Sequence, residues 1–323
     1  MPPLTLLAGS ANVPLAAAVA RDLGVPLGVA SLQRFPDGEL HVAVRDSLRG
    51  REVYVLQPTT PPFETHLLEL LLLADACHRA GATRVTAVMP YFGYARQDRR
   101  AGGREPVGAR LVGDLLSAGR IDRLVAVDLH SPTLEGFFAF PLEHLTAVPA
   151  LANALAMDGG GVGGGDSVVV APDLGAARLA DRYARALNLP VAMVHKTRIT
   201  GEEVAVRGLT GEVAGRAPVI VDDMISTGAT VVAAVAALRE AGCRPDFTVV
   251  ATHGLLVGEA PARLRALRLK RLIVTDTVAP SAATAGLAAT ALAIQTVTIA
   301  PLLAEAVRRL HENRSLADLL VHS

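Results

Sequence analysis

The chain has 323 residues, enough for two ordinary domains, and its 31 basic and 31 acidic side chains balance, which excludes a bulk field drawing it to nucleic acid or an anionic membrane. Cys77 and Cys243 are too few for a disulfide framework and lack CxxC spacing, so a reducing, cytoplasmic setting is expected. No basic stretch precedes the first apolar residues, so no secretory signal is expected.

Taken along the chain, short apolar runs alternate with helix-period patterns. Arg34-Phe35-Pro36-Asp37-Gly38-Glu39 reads as a turn carrying an aromatic and two acids. Val53–Leu56 and Val85–Val88 read as buried strands, with a helical pattern over Glu64–Ala80 between them. The segment from Tyr91 to Arg100 follows, rich in aromatics and arginines for a chain that is only 3% aromatic, and it suits a purine base and a polyphosphate. Leu124–Val127 is a further strand that ends in Asp128 and Leu129, with His130 just beyond. By itself a lone His such as His130 reads as a satisfied structural residue in preference to a ligand. A domain boundary is expected near Pro141–Pro149, and Gly159–Gly165 reads as a surface loop inside the second domain.

The second half repeats the alternation. Val168–Val170 is a strand, Asp173 follows it as either a helix cap or a ligand, and Gly175–Leu187 is a helix. Lys196 and Lys270 are lysines in a chain whose other basic residues are all arginine. Lys270 looks like an ordinary solvated position, whereas Lys196 is a candidate for ammonium chemistry. Val219–Val221, Thr248–Val250 and Leu272–Val274 complete the strands. Val278 to Ala304 is uncharged, but Pro280, Gly286, Gln295 and Pro301, with the alternation over Ile294–Ile299, predict a buried helix and then a strand rather than a membrane span. Buried parallel strands with crossover helices make an α/β fold. Pro90-Tyr91-Phe92-Gly93-Tyr94-Ala95-Arg96 and Pro172-Asp173-Leu174-Gly175-Ala176-Ala177-Arg178 share the pattern Pro-x-x-Gly-x-Ala-Arg, and Asp128 and Asp222 each close a strand, so two domains related by internal duplication are expected.

The most informative stretch is Val219 to Thr230. A β-branched run meets Asp222 and Asp223, then Ser226-Thr227-Gly228-Ala229-Thr230 turns into a helical pattern. A helix N-terminus behind a small polar loop offers unpaired N–H groups to a phosphate, and adjacent carboxylates accept from vicinal sugar hydroxyls. The loop asks for a phosphorylated pentose. No Gly-Lys-Ser/Thr ends it, so it is not a Walker motif.

This loop resembles the phosphoribosyl-pyrophosphate signature of type I phosphoribosyltransferases and of ribose-phosphate pyrophosphokinase. With the Phe-x-Asp-Gly-Glu turn, Tyr-Phe-Gly-Tyr-Ala-Arg-Gln-Asp-Arg, Val-Asp-Leu-His and Pro-Asp-Leu-Gly, the resemblance to the pyrophosphokinase family runs from about Gly9 to Leu319. It implies two similar parallel-sheet domains, over residues 1–145 and 146–303, and a C-terminal helix over 304–323 packing back on the first. It also implies that Phe35, Asp37, Gly38, Glu39, Arg96, Gln97, Asp98 and Arg99 bind ATP. Asp222, Asp223 and Ser226 to Thr230 would hold ribose 5-phosphate, and His130 and Asp173 would approach Mg2+. Lys196 and Arg198 would be the catalytic pair on a mobile loop, with Thr200-Gly201-Glu202-Glu203 closing on substrate. The implied assembly is a homo-oligomer, at least a dimer and possibly a hexamer.

The chain departs from the family pattern in places. Thr197, Ile199 and Thr200 stand where further loop arginines are usual, Ser226 replaces an acid and Ala229 a glycine. At the family's phosphate-responsive site Thr298 keeps one hydroxyl, Ala300 loses another, and Ser47 and Arg49 remain. A non-catalytic regulatory homologue and a phosphoribosyltransferase are the alternative readings.

Overall fold

Short valine-rich runs are too apolar for a surface and too short for a stable helix, so they become strands covered on both faces. The computed structural model describes residues 3–100, 102–157, 166–198, 204–280 and 294–321. They fall into two units, one of Met1–Thr146, Thr277–Ala279 and Thr298–Ser323, the other of Ala147–Asp276 and Pro280–Val297.

The first unit runs β1 (Leu4–Ala8), α1 (Val13–Leu23), β2 (Ala30–Arg34), β3 (Leu40–Val44), β4 (Glu52–Leu56), α2 (Phe63–Arg79), β5 (Arg84–Met89), α3 (Gly108–Ala118), β6 (Arg123–Val127) and β7 (Leu142–Leu145). Five of these strands form a parallel sheet in the order β1-β4-β5-β6-β7, while β2 and β3 pair as a separate antiparallel hairpin. The Asn12 side chain accepts the Leu15 N–H at 3.2 Å to start α1, and Gly24 ends it at φ 74°. On α2, Leu70, Leu73, Ala74 and Cys77 form one buried stripe against the sheet. Burial pushes the Cys77 thiol up to about 12, so it packs as a small apolar side chain rather than a nucleophile.

The second unit runs α4 (Val148–Met157), β8 (Ser167–Ala171), α5 (Ala177–Leu187), β9 (Val191–Arg198), β10 (Val204–Thr210), β11 (Ala217–Ile225), α6 (Ala229–Glu240), β12 (Thr248–Gly254), α7 (Ala260–Ala266), β13 (Arg271–Thr275) and β14 (Ile294–Val297). Its sheet has the order β10-β9-β8-β11-β12-β13-β14, parallel except where β10 folds back on β9. Val231, Ala234, Val235 and Leu238 are the buried stripe of α6. A last helix, α8 (Ala300–His311), belongs to the first unit and lies against α1, where Arg308 donates to the Asp22 carbonyl at 2.8 Å.

Duplication is visible in the topology. β1, β4, β5, β6 and β7 match β8, β11, β12, β13 and β14 in chain order and in sheet order. Leu27 bridges Leu6 in parallel just before the β2–β3 hairpin, as β9 flanks β8 before turning into β10. The two Pro-x-x-Gly-x-Ala-Arg segments do not mark this correspondence. They follow β5 and β8, whereas the partner of β8 is β1. The shared motif is therefore not the trace of the duplication.

Other expectations shift as well. Asp222 and Asp223 do not stop their strand, because β11 stays in register with β12 through Met224↔His253 and Ile225↔Gly254. Lys196 and Arg198 lie on strand β9, opposite Val206 and Val204 of β10, rather than on a loop. The segments Gly159–Gly165 and Thr200–Glu203, and the helix expected before β14, fall outside the described residues.

Candidate functional site

In a parallel sheet every strand ends on the same edge, and ligands bind beyond that edge. In the second unit β8, β9 and β11 deliver Asp173, the backbone of Lys196 and Arg198, and the run from Asp222 to Thr230 to one such edge. In the first unit β5 and β6 likewise deliver the Tyr91–Arg99 and Asp128–His130 segments.

The Asp222 carboxylate accepts the Asp223 N–H at 3.0 Å, yet its proton affinity is raised well above the ordinary aspartate value. Desolvation is the largest cause, and the negative charges of Asp223 and Asp173 add to it. Acids crowded in this way favour a cation or hydroxyl donors beside them. Gly228 follows at φ 76° as the N-cap of α6, and an added Cβ there would find its nearest neighbour 3.7 Å away. The glycine is required by its backbone rather than by space. No side chain caps α6, and its first backbone bond within the helix runs from the Val232 N–H to the Gly228 carbonyl at 3.0 Å. The N-terminus of α6, the positive end of its dipole, lies beside the half-buried Ser226 and exposed Thr227. Arg263 of α7 donates to the Thr227 carbonyl at 3.2 Å and braces this loop. Nothing in the sequence pattern singled out Arg263, since it lies a whole strand and helix away. Asp173 accepts the Ala176 N–H at 3.2 Å in the turn that leads into α5, rather than serving as the side-chain cap of that helix, which has none.

In the first unit the turn between β2 and β3 is tightly built. Phe35 and Glu39 close it with an N–H to carbonyl bond of 2.9 Å, Asp37 accepts the Glu39 N–H at 3.1 Å, and Gly38 sits at φ 96°. Arg34 donates to the Gly38 carbonyl at 2.6 Å and to Thr65 of α2 at 3.0 Å, tying the hairpin down. The aromatic part of the Tyr91–Arg100 reading needs correction. Tyr91 and Phe92 are buried, with Phe92 edge-on to Phe138 at 5.6 Å, and Tyr94 packs on Phe63. Arg96, Gln97 and Arg99 are exposed, with Asp98 half-buried beside Arg99. The Gln97 amide lies over Gly108, where an added Cβ would come within 2.4 Å of its Oε1.

Asp128 is buried at φ 38°, a left-handed backbone that turns the chain sharply and leaves His130 exposed. The buried His144 accepts the Leu129 N–H on Nε2 at 2.8 Å. Its proton therefore sits on Nδ1, which faces Glu135 Oε1 at 3.3 Å. Among the described residues no group of three or more His, Cys, Asp or Glu is arranged to hold a metal ion by itself. His130 and Asp173 lie in different units. No described helix is long and apolar enough to cross a membrane.

Comparison with known proteins bears on both units. Residues 4–119 match the N-terminal domain of ribose phosphate pyrophosphokinase, and residues 199–321 match the phosphoribosyl synthetase-associated domain. The ribose-phosphate pyrophosphokinase of Mesorhizobium japonicum is 39% identical over 316 residues, covering 98% of this chain and 99% of its own. That of Staphylococcus saprophyticus is 38% identical over 314 residues, covering 95% and 94%. The crystal structure of phosphoribosylpyrophosphate synthetase from Mycobacterium smegmatis superposes with a TM-score of 0.88 at 39% identity, over 96% of this chain and 99% of that one.

Proposed function

The chain belongs to the ribose-phosphate pyrophosphokinase family, and from that premise we propose how its two units share the work of one reaction. It is a transferase that forms 5-phosphoribosyl 1-pyrophosphate, moving the β,γ-diphosphoryl group of ATP to the C1 hydroxyl of ribose 5-phosphate and releasing AMP. The observation that carries the reading is the edge of the second sheet, where an uncapped helix N-terminus stands beside crowded carboxylates. Ser226 to Thr230 take the 5-phosphate, and Asp222 and Asp223 accept from the ribose hydroxyls. Phe35, Asp37, Gly38, Glu39, Arg96, Gln97, Asp98 and Arg99 of the first unit take ATP.

The C1 hydroxyl attacks the β-phosphorus, so negative charge grows on the transferred group and on the departing AMP. Lys196 and Arg198 meet that charge, which is where such a reaction gains most of its acceleration. Mg2+ arriving with ATP would supply positive charge against the phosphates. In the second unit Asp173, whose charge adds to the raised proton affinity of Asp222, would approach such a cation, and in the first unit His130 is the candidate side chain. Mg2+ characteristically arrives with its phosphates and keeps several waters, so no ready-made protein cage is needed. A homo-oligomer and a cytoplasmic setting complete the proposal, the latter consistent with two unpaired cysteines.

The direct test is incubation with ATP, Mg2+ and ribose 5-phosphate. AMP must appear only when the sugar phosphate is present. Release of ADP, or no nucleotide product at all, would rule out a diphosphokinase and favour a regulatory or phosphoribosyltransferase role.

A further inference from the structure

Most aromatic rings of this chain are spent on its core. Among the described residues Phe35 is the aromatic that stands out to solvent, 49% exposed, and it does not stand alone. The imidazole of His41, also exposed, lies with its centroid 5.1 Å from that of Phe35, the two planes tilted by 59°. The β2–β3 register explains the pairing. Gln33 faces His41 across the hairpin, and Phe35 is the next side chain on that same face. The opposite face, Ala30, Leu32, Val42 and Val44, packs against the hydrophobic core of the unit. The outward face therefore carries a two-ring wedge that folding does not require, next to a turn pinned by Arg34 and Gly38.

We propose that His41 is a specificity-determining residue for the nucleotide, forming with Phe35 a two-walled seat for the purine base. This rests on the reading that the Phe35–Glu39 turn binds ATP, and it adds a wall to that site. A flat base laid on one ring meets the other obliquely, since the walls are not coplanar. A bicyclic purine is long enough to touch both, whereas a single-ring pyrimidine on the same face reaches one. Offset and edge contacts of this kind are favourable for aromatic pairs. The imidazole nitrogens add a polar rim that a base edge can bond.

The experiment uses the full chain with Mg2+ and ribose 5-phosphate, and measures AMP or CMP release with ATP or CTP as donor. His41→Ala is expected to raise KM for ATP about tenfold, within the range for loss of one stacking ring. KM for CTP and for ribose 5-phosphate should stay within about twofold of the parent, as should kcat, because the lost contact is the same in ground and transition states. His41→Phe restores a ring without the nitrogens and should return KM for ATP to within about threefold of the parent. An unchanged KM for ATP in His41→Ala overturns the proposal. So does an equal rise for ATP and CTP, which marks a general disturbance of the hairpin. Phe35→Ala distinguishes loss of the second wall from loss of the ATP site. If it weakens ATP while His41→Ala does not, the second wall fails and the ATP site stands. If neither substitution affects ATP, the assignment of the turn fails with it.

Discussion

Asp222 is where chemistry and stability oppose each other most clearly. Its folded pKa lies above the unfolded value, so the native chain binds the proton more tightly than the unfolded chain. Stability from this group is then fully present below about pH 4 and declines as pH rises toward the raised value. Asp222→Asn should flatten that slope and raise the neutral-pH melting temperature of the ligand-free chain by roughly 2–4 °C. The same substitution should weaken ribose 5-phosphate while sparing ATP, since an amide offers one acceptor fewer and unwanted donors. Calorimetry against each ligand, with melting at several pH values, checks both; equal loss for both ligands would contradict the assignment. Lys196 should behave differently. Lys196→Ala is expected to lower kcat by about 10²–10³, the scale for losing one group that stabilises transition-state charge, with little change in either KM. Lys196→Arg should also be impaired, because a planar guanidinium does not replace a compact ammonium at close range. Initial-rate kinetics at saturating substrates decides.

At the scale of the element, the turn from β11 into α6 depends on Gly228. Its left-handed φ costs a side-chain-bearing residue about 1–2 kcal/mol, although a Cβ would meet no clash. Gly228→Ala is therefore expected to lower stability by about that amount and to raise KM for ribose 5-phosphate without altering KM for ATP, as seen in chemical denaturation and steady-state rates. This turn was legible in the sequence because its signals are local: a β-branched run, adjacent acids, small hydroxyl residues and a glycine. The same holds for β4, β5, β6, β8, β11, β12 and β13, whose buried valine runs declare themselves. Strands of other character were missed. Leu4–Ala8 has no alternation and too few β-branched residues, and Leu142–Leu145 is too short to show a period. The β2–β3 and β9–β10 hairpins owe their pairing to each other rather than to a continuous apolar run. The aromatics of Tyr91–Tyr94 were misjudged for a related reason, since composition names a ring but not the face of the chain on which it lies.

Across the whole molecule, duplication has produced two units with different fittings at equivalent places. The registers Leu4↔Glu52 and Ser167↔Ala217 align the sheets, which sets Ser10 where the second unit has Asp173, and Gln57 where it has Asp222. In the first unit those neutral residues both donate to Glu69 of α2, Ser10 Oγ at 2.5 Å and Gln57 Nε2 at 2.8 Å, so the place is filled by the chain itself. The hairpin in each unit carries residues of the proposed sites, Phe35 to Glu39 in the β2–β3 turn and Lys196 with Arg198 on strand β9. Regulation belongs to this scale as well. Thr298 already accepts the Ala300 N–H at 3.2 Å at the start of α8, and Ala300 offers no hydroxyl to an anion. Activity should accordingly depend little on added inorganic phosphate, with ADP inhibiting mainly by competition with ATP. Initial rates in phosphate-free buffer against rising phosphate test this, and a steep saturable activation would contradict it.

The C1 hydroxyl of ribose 5-phosphate is expected to attack the β-phosphorus of ATP. Ribose 5-phosphate carrying 18O at C1, turned over with Mg2+ and ATP, tests this by mass spectrometry of the products. Attack at phosphorus by the sugar oxygen keeps the label in the bridge between C1 and the diphosphate, with AMP unlabelled and equal in amount to the sugar product. Label lost from the sugar product, or nucleotide appearing as ADP, would contradict it.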